Sequence, residues 1–273
     1  MSEEMKRVII IDALNMFFRC YARDPSINLQ GHPSGGCVGF LKSLQKSIRL
    51  TKPDDVVIVW DGGGGSRKRR LINKDYKSGR KVVHLPKDMN YNFTHEEEAS
   101  NKAWQQTRLF EYLDNLPICQ FMYEDVEADD VIAAITQSKV LKDWHKVILS
   151  NDKDFMQLCD DKTILCRPAK KPWEILNTNR IVEDLNVHPI NMALARAIVG
   201  DKSDNLPGVP NVGFGRVNKF FPFLKDEDEY SVKDLIKITE ELATENNSKF
   251  LTSILEHESV IEENYRIMQL YQP

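Results

Sequence analysis

A short apolar run that ends at or just before a carboxylate recurs four times in the first 154 residues. Val8–Ile11 runs into Asp12, and Val56–Trp60 runs into Asp61. Ile118–Tyr123 is followed by Glu127-Ala-Asp129-Asp130, and Val147–Ser150 by Asp152 and Asp154. Such runs are too short for helices. Apolar residues at consecutive positions mark strands buried on both faces. A further strand is expected over Thr163–Cys166. Between the runs the period changes to that of a helix. Val38, Leu41, Leu44 and Ile48 predict a helix over about 35–50, and Val131, Ile132 and Ile135 one over 128–141. A third starts near Thr94, where Thr94 and Glu97 have capping-box spacing. Alternating strands and helices predict an α/β fold with a mostly parallel sheet flanked by helices. In such a sheet the ligand site lies beyond the carboxyl ends of the strands. If the strands are neighbours, the acids converge there.

Composition sets the outer limits. With 273 residues, 41% hydrophobic and 29% charged, the chain can form one large domain or two modest ones. It is not a collagen, a disulfide scaffold or a largely disordered chain. No apolar run approaches the roughly 18–20 residues that span a bilayer. MSEEMKRVIIID reads as a strand rather than a signal peptide. The five cysteines (20, 37, 119, 159 and 166) form no CxxC pair, which argues for reduced thiols and against zinc. After Ile181 the pattern becomes short helical segments (about 180–186, 189–199, 215–221 and 231–257) around a turn-rich stretch, Gly200–Gly215.

Net charge is −4, yet residues 62–87 carry nine Lys or Arg against one acid, Asp75. A local block of this kind serves phosphate contact or forms a solvated loop. It follows four glycines, 62–65, which predict a hinge and a mobile segment over about 62–92. The acids pose the opposite problem, because like charges brought close repel. All-oxygen ligation of a hard divalent cation resolves it, and enough acids are present for two ions that cleave a phosphodiester. An Asp after a strand can equally be a helix N-cap.

The segments IIIDALN (9–15), DGGGGSRKRR…DYKSGR (61–80), EADD (127–130), SNDKDFMQL (150–158) and VGDKSDNLPGVPNVG (199–213) resemble the 5′-nuclease, or flap endonuclease, superfamily. The resemblance extends to bacteriophage 5′→3′ exonucleases, including the phage ribonuclease H, and to the 5′-nuclease domain of bacterial DNA polymerase I. It implies a PIN-like core over 1–180 that includes a helical arch at about 62–105. It also implies a helical subdomain over 181–273, with a helix–three-turn–helix element at about 195–222. Two Mg²⁺ ions, replaceable by Mn²⁺, would be held by acids matching Asp12, Asp61, Glu127, Asp129, Asp130, Asp152, Asp154, Asp201 and Asp204. Lys77 and Arg80 would act with Asp129 and Asp152 in catalysis, by gripping the scissile phosphate. Arg67, Lys68, Arg69 and Arg70 would hold the strand backbone, and Tyr76 would stack on a base. GVPNVGFG, through Gly208, Val209, Asn211, Gly213, Gly215 and Arg216, would grip duplex. Its glycines would supply positive φ, and a K⁺ ion would bind its carbonyls, although Asn211 stands where the family commonly has Gly.

The expected activity is Mg²⁺-dependent cleavage of DNA, and of RNA in RNA–DNA duplexes, at 5′ ends or flaps. The expected task is primer removal and flap processing in replication. The expected partners are such nucleic acids and single-strand-binding or replication proteins. The expected protein is a monomer in the cytoplasm (the host's, if phage-encoded), with no membrane. Two alternatives stay open: a PIN-type ribonuclease acting on single-stranded RNA, and a non-catalytic DNA-binding accessory.

Overall fold

A computed structural model describes residues 5–89, 91, 93–168, 172–246 and 248–271. Met1–Glu4 of the N-terminal reading, and Asn90 and Asn92 of the segment expected to be mobile, lie outside them. The elements follow in order: β1 (Arg7–Asp12), α1 (Ala13–Tyr21), α2 (Gly35–Thr51), β2 (Asp55–Trp60), α3 (Arg67–Ile72), α4 (His95–Asp114), β3 (Cys119–Met122), α5 (Ala128–Thr136), β4 (His145–Leu149), β5 (Thr163–Arg167) and β6 (Glu174–Leu176). Then come α6 (Thr178–Leu185), α7 (Met192–Val199), the two-residue strands β7 (Gly200–Asp201) and β8 (Leu206–Pro207), α8 (Phe214–Phe220), α9 (Val232–Glu245), α10 (Lys249–Glu256) and α11 (Glu258–Met268).

The sheet has the order β3-β2-β1-β4-β5-β6. β1 pairs in parallel with β2 and with β4, Ile9 lying opposite Val56 and Val147, and β2 pairs in parallel with β3. The expectation of strands covered on both faces holds at β1. Val8, Ile9, Ile10 and Ile11 are all buried although successive side chains point to opposite faces.

The chain divides into two compact units. The first comprises 1–65, 81–152 and 166–173, and the second 66–80, 153–165 and 174–273. In the first, α1 packs on α2, α2 on α4, and α5 against β1 and β2. In the second, α7 packs on α8 and α11, α9 on α10, and α11 also on α3. Asn264 of α11 donates to the Ala197 and Pro207 carbonyls at 3.0 and 2.9 Å, fastening the end of α7 and the β7–β8 hairpin to one helix.

Several sequence expectations need adjustment. α1 was not among the expected helices, and Asp12 is its N-cap, the reading that an Asp after a strand had left open. The segment expected as one helix over 231–257 is split: Asn246 leaves helical geometry and Ser248 caps α10. α5 stops at Thr136, and a separate 3₁₀ turn covers Lys139–Leu141. The expected capping box at Thr94 and Glu97 is formed. All five cysteines are free thiols, four of them buried and Cys119 exposed. No helix among the described residues is long and apolar enough to cross a membrane.

Candidate active site

In the first unit the acids follow from how β1, β2 and β4 end. Asp12 is the last residue of β1 and the N-cap of α1. Its Oδ1 accepts from the Asn15 N–H at 3.1 Å and its Oδ2 from the Ser150 hydroxyl at 2.8 Å. Ser150 accepts in turn from the Asp152 N–H at 3.0 Å, and the Asn15 side chain accepts from the Asn151 N–H at 3.0 Å. The ends of β1 and β4 are therefore tied together by polar bonds. Asp61 follows β2, and its Oδ1 accepts from the Ala128 N–H, the first residue of α5, at 3.1 Å. Glu127, buried, occupies the N-cap position of that helix without bonding as a cap, and Asp129 and Asp130 lie in its first turn. Acids there suit the positive helix end.

Asp12 carries the electrostatic signature of the group. Burial, followed by the charge of Asp61, pushes its carboxyl up to about 7; Asp152 adds a smaller push in the same direction. Asp12, Asp61 and Asp152, three carboxylates whose charges bear on one buried group, form an all-oxygen donor set suited to a hard divalent cation. The fit is one of donor chemistry. Among the described residues, no three His, Cys, Asp or Glu side chains are gathered closely enough to hold an ion.

The glycine run contributes through close packing. A Cβ at Gly62 would lie 1.7 Å from the Tyr123 carbonyl oxygen. The Gly62 N–H donates to the Val126 carbonyl at 3.1 Å, and the Asp125 N–H to the Gly63 carbonyl at 2.9 Å. This backbone-to-backbone seam sets Asp61 beside the start of α5.

The remaining three acids belong to the second unit. Arg196 of α7, itself buried, places Nη2 2.7 Å from Asp154 Oδ1 and 2.6 Å from Asp201 Oδ2. At Asp201 the upward push of burial is outweighed by hydrogen bonds from Ser203 and by Arg196, which hold the carboxyl below its usual range. Asp204, buried, is ion-paired with Arg80. Arg196 was missed by sequence reasoning, since in the apolar helix MALARAIV it reads as an isolated charge.

The basic block is not uniform. Arg67, Lys68 and Arg70 are exposed on α3. Arg69 is 8% exposed and donates from Nε to the Ile267 carbonyl at 2.9 Å, so it braces α11. Tyr76 is also buried, with the Lys77 ammonium 4.9 Å from its ring centre. In GVPNVGFG, Asn211 takes the positive φ, +61°, while Gly208, Gly213 and Gly215 do not, contrary to expectation. Gly208 is required for close approach, because a Cβ there would lie 2.2 Å from the Val199 carbonyl. Gly213 and Gly215 are exposed, and a Cβ at either would meet nothing within 4 Å. Val209 is buried and spends its N–H on the Ile198 carbonyl at 2.8 Å, and Arg216 donates to the Asn211 carbonyl at 3.0 Å.

Comparison with known proteins places the chain in a family. A 5′-3′ exonuclease of Buchnera aphidicola is 29% identical over 210 residues, 76% of this chain and 67% of its own length. The flap endonuclease Xni of Shewanella sp. (strain MR-4) is 31% identical over 218 residues, 77% of this chain and 72% of its own. The chain also matches DNA polymerase I of Borreliella burgdorferi at 27% identity, spanning 97% of this chain but only 28% of that protein. In fold it is similar to the bacteriophage T5 flap endonuclease, solved as a complex with DNA and metal ions. The TM-score there is 0.72 at 19% identity, covering 95% of this chain and 88% of that one. The family model for the 5′-3′ exonuclease N-terminal resolvase-like domain matches residues 7–186, which include β1, β2, β4 and seven of the nine acids. The chain thus belongs to the 5′-3′ exonuclease family.

Proposed function

We propose that this chain is a structure-specific 5′ nuclease, a metal-dependent phosphodiesterase that cuts DNA at 5′ ends and flaps. The observation that carries the reading is Asp12 at the end of β1, buried and held by Asn15 and Ser150, beside the charge of Asp61 and within the segment that matches the family. Two Mg²⁺ ions, replaceable by Mn²⁺, are the cofactors of this reading. Glu127, Asp129, Asp130 and Asp152 would hold one, and Asp154, Asp201 and Asp204 the other, with Asp12 and Asp61 contributing partly through water. Bound cations of this kind supply a water nucleophile at neutral pH and offset charge on the leaving oxygen.

The chain's own residues do the rest. Ser150 fixes the Asp12 carboxylate and the Asp152 backbone together. Arg196 ion-pairs with the Asp154 and Asp201 carboxylates and aims both, and it helps hold Asp201 in its charged form. Lys77 and Arg80 would grip the scissile phosphate and stabilise its developing charge, Arg80 as a bidentate fork. Residues 62–105 would form the arch over a single-stranded 5′ end. The open backbone at Gly213 and Gly215 would meet duplex phosphates, with K⁺ at the hairpin carbonyls. RNA in RNA–DNA hybrids is a further substrate on this reading, and primer removal its task.

The test is cleavage of a 5′-labelled flap duplex with Mg²⁺, beside the same reaction in EDTA and beside single-stranded RNA. Metal-dependent cutting near the flap junction is expected. Cutting of the RNA alone would replace the reading with a single-strand ribonuclease, and flap binding without cutting would replace it with a non-catalytic accessory.

A further inference from the structure

Two consecutive residues, Asp204 and Asn205, hold the segment Asp75–Arg80, all inside the second unit. The Asn205 side-chain amide donates to the Asp75 carbonyl at 3.1 Å and to the Ser78 hydroxyl at 2.9 Å. The Asp204 carbonyl accepts from the Lys77 N–H at 2.9 Å, and the Asp204 carboxylate pairs with Arg80. Lys77 and Asn205 both adopt left-handed backbone, each with φ +58°. Asparagine visits that conformation readily, whereas a lysine keeps it only where its surroundings impose it. Here the imposing contacts are mutual. The segment is closed internally by the Ser78 N–H to the Asp75 carbonyl at 2.8 Å. It is anchored upstream by the Asn73 side chain on Glu263 at 2.7 Å.

We infer that Asn205 is a positioning residue, acting through Lys77 and Arg80. Its two bonds fix the loop that carries both cations against the turn that carries Asp201 and Asp204. The inference rests on the nuclease reading for the roles of Lys77 and Arg80. The tie itself does not. Asn205 is suited to the task because one planar amide reaches a carbonyl and a hydroxyl at once, and both are acceptors. An aspartate of the same shape offers neither donor.

The experiment compares the native chain with Asn205→Ala and Asn205→Asp. On a 5′-flap duplex with Mg²⁺, single-turnover cleavage should fall about tenfold to a hundredfold in both, the range typical of a misplaced catalytic group. Flap affinity measured with Ca²⁺ should stay within about twofold of the native value, since a positioning role leaves binding intact. Combined with Lys77→Ala, the Asn205 change should add little, because the two act as one unit. An unchanged rate would overturn the inference, as would losses that multiply in full with Lys77→Ala, or binding that weakens as much as cleavage. Amide exchange at Lys77 reads the tie without any activity. Faster exchange in Asn205→Ala supports it, and equal exchange overturns it. A native chain that cuts nothing with Mg²⁺ while this exchange difference persists would instead sink the nuclease reading.

Discussion

At the scale of single residues, the choice between helix cap and functional acid turns out not to be exclusive. Asp12 caps α1 and Asp61 caps α5 from a distance, yet the two repel each other within one cluster. A carboxyl raised to about 7 in the folded chain costs stability wherever the unfolded chain would ionise and the folded one resists. In EDTA, stability should therefore fall as pH rises from about 4 to about 7, then level off. The sign follows from more protons bound in the native state across that window. Asp12→Asn keeps an acceptor for Asn15 and removes this slope. Its unfolding free energy should gain on that of the native protein across the window. The gain should reach a few kcal/mol, at roughly 1.4 kcal/mol for each pH unit over which the native carboxyl resists ionising. Denaturant melts of the two proteins from pH 4 to pH 8 measure it, and parallel pH dependences would refute it. The acids were legible because a carboxylate after an apolar run is a local signal. Arg196 and Asn205 were not, since Arg196 joins nearby Asp201 to distant Asp154 and Asn205 bonds to the distant Asp75 and Ser78.

Elements were legible in proportion to how local their causes are. β1, β2 and β4 are apolar runs, and α4 carries its own capping box, so their positions could be read directly. The glycines misled because the same residue serves a positive φ, a hinge or close contact, and only packing distinguishes them. Gly208 and Gly213 separate two of these causes. Gly208→Ala would drive a methyl into the Val199 and Gly200 backbone, which cannot yield as a flexible side chain would. It should cost about 3 kcal/mol or more, by the overpacking scale with no room to relax. Gly213→Ala meets nothing within 4 Å and should cost about 1 kcal/mol or less, chiefly as a poorer helix cap. Denaturant melts of the two variants measure the contrast; equal losses would remove close approach as the reason for Gly208.

For the molecule as a whole, a chain of net charge −4 must meet a polyanion through a local patch. The patch narrows once Arg69 is seen bonding to Ile267. Replacing Arg67, Lys68 and Arg70 together by alanine should lower the salt dependence of flap binding by about two in logarithmic slope, counting roughly 0.7 per single-strand phosphate contact. Arg69→Ala should leave that slope unchanged while lowering the melting temperature. A slope that drops equally for Arg69→Ala would place it with its neighbours. The division into units was hidden from the sequence, because each unit is assembled from three stretches of chain that alternate. One boundary even passes through SNDKDF, leaving Asp152 in the first unit and Asp154 in the second.

The double duty of Asp12 and Asp61 bears on how this lineage can age. A descendant that lost its chemistry would still need an acceptor at the start of α1 and of α5 in order to fold. Selection for folding alone would then keep Asp, Asn or Ser at both places. Survival of these two carboxylates in a diverged copy is therefore poor testimony that the copy still cuts, and an alanine there would injure architecture and chemistry together.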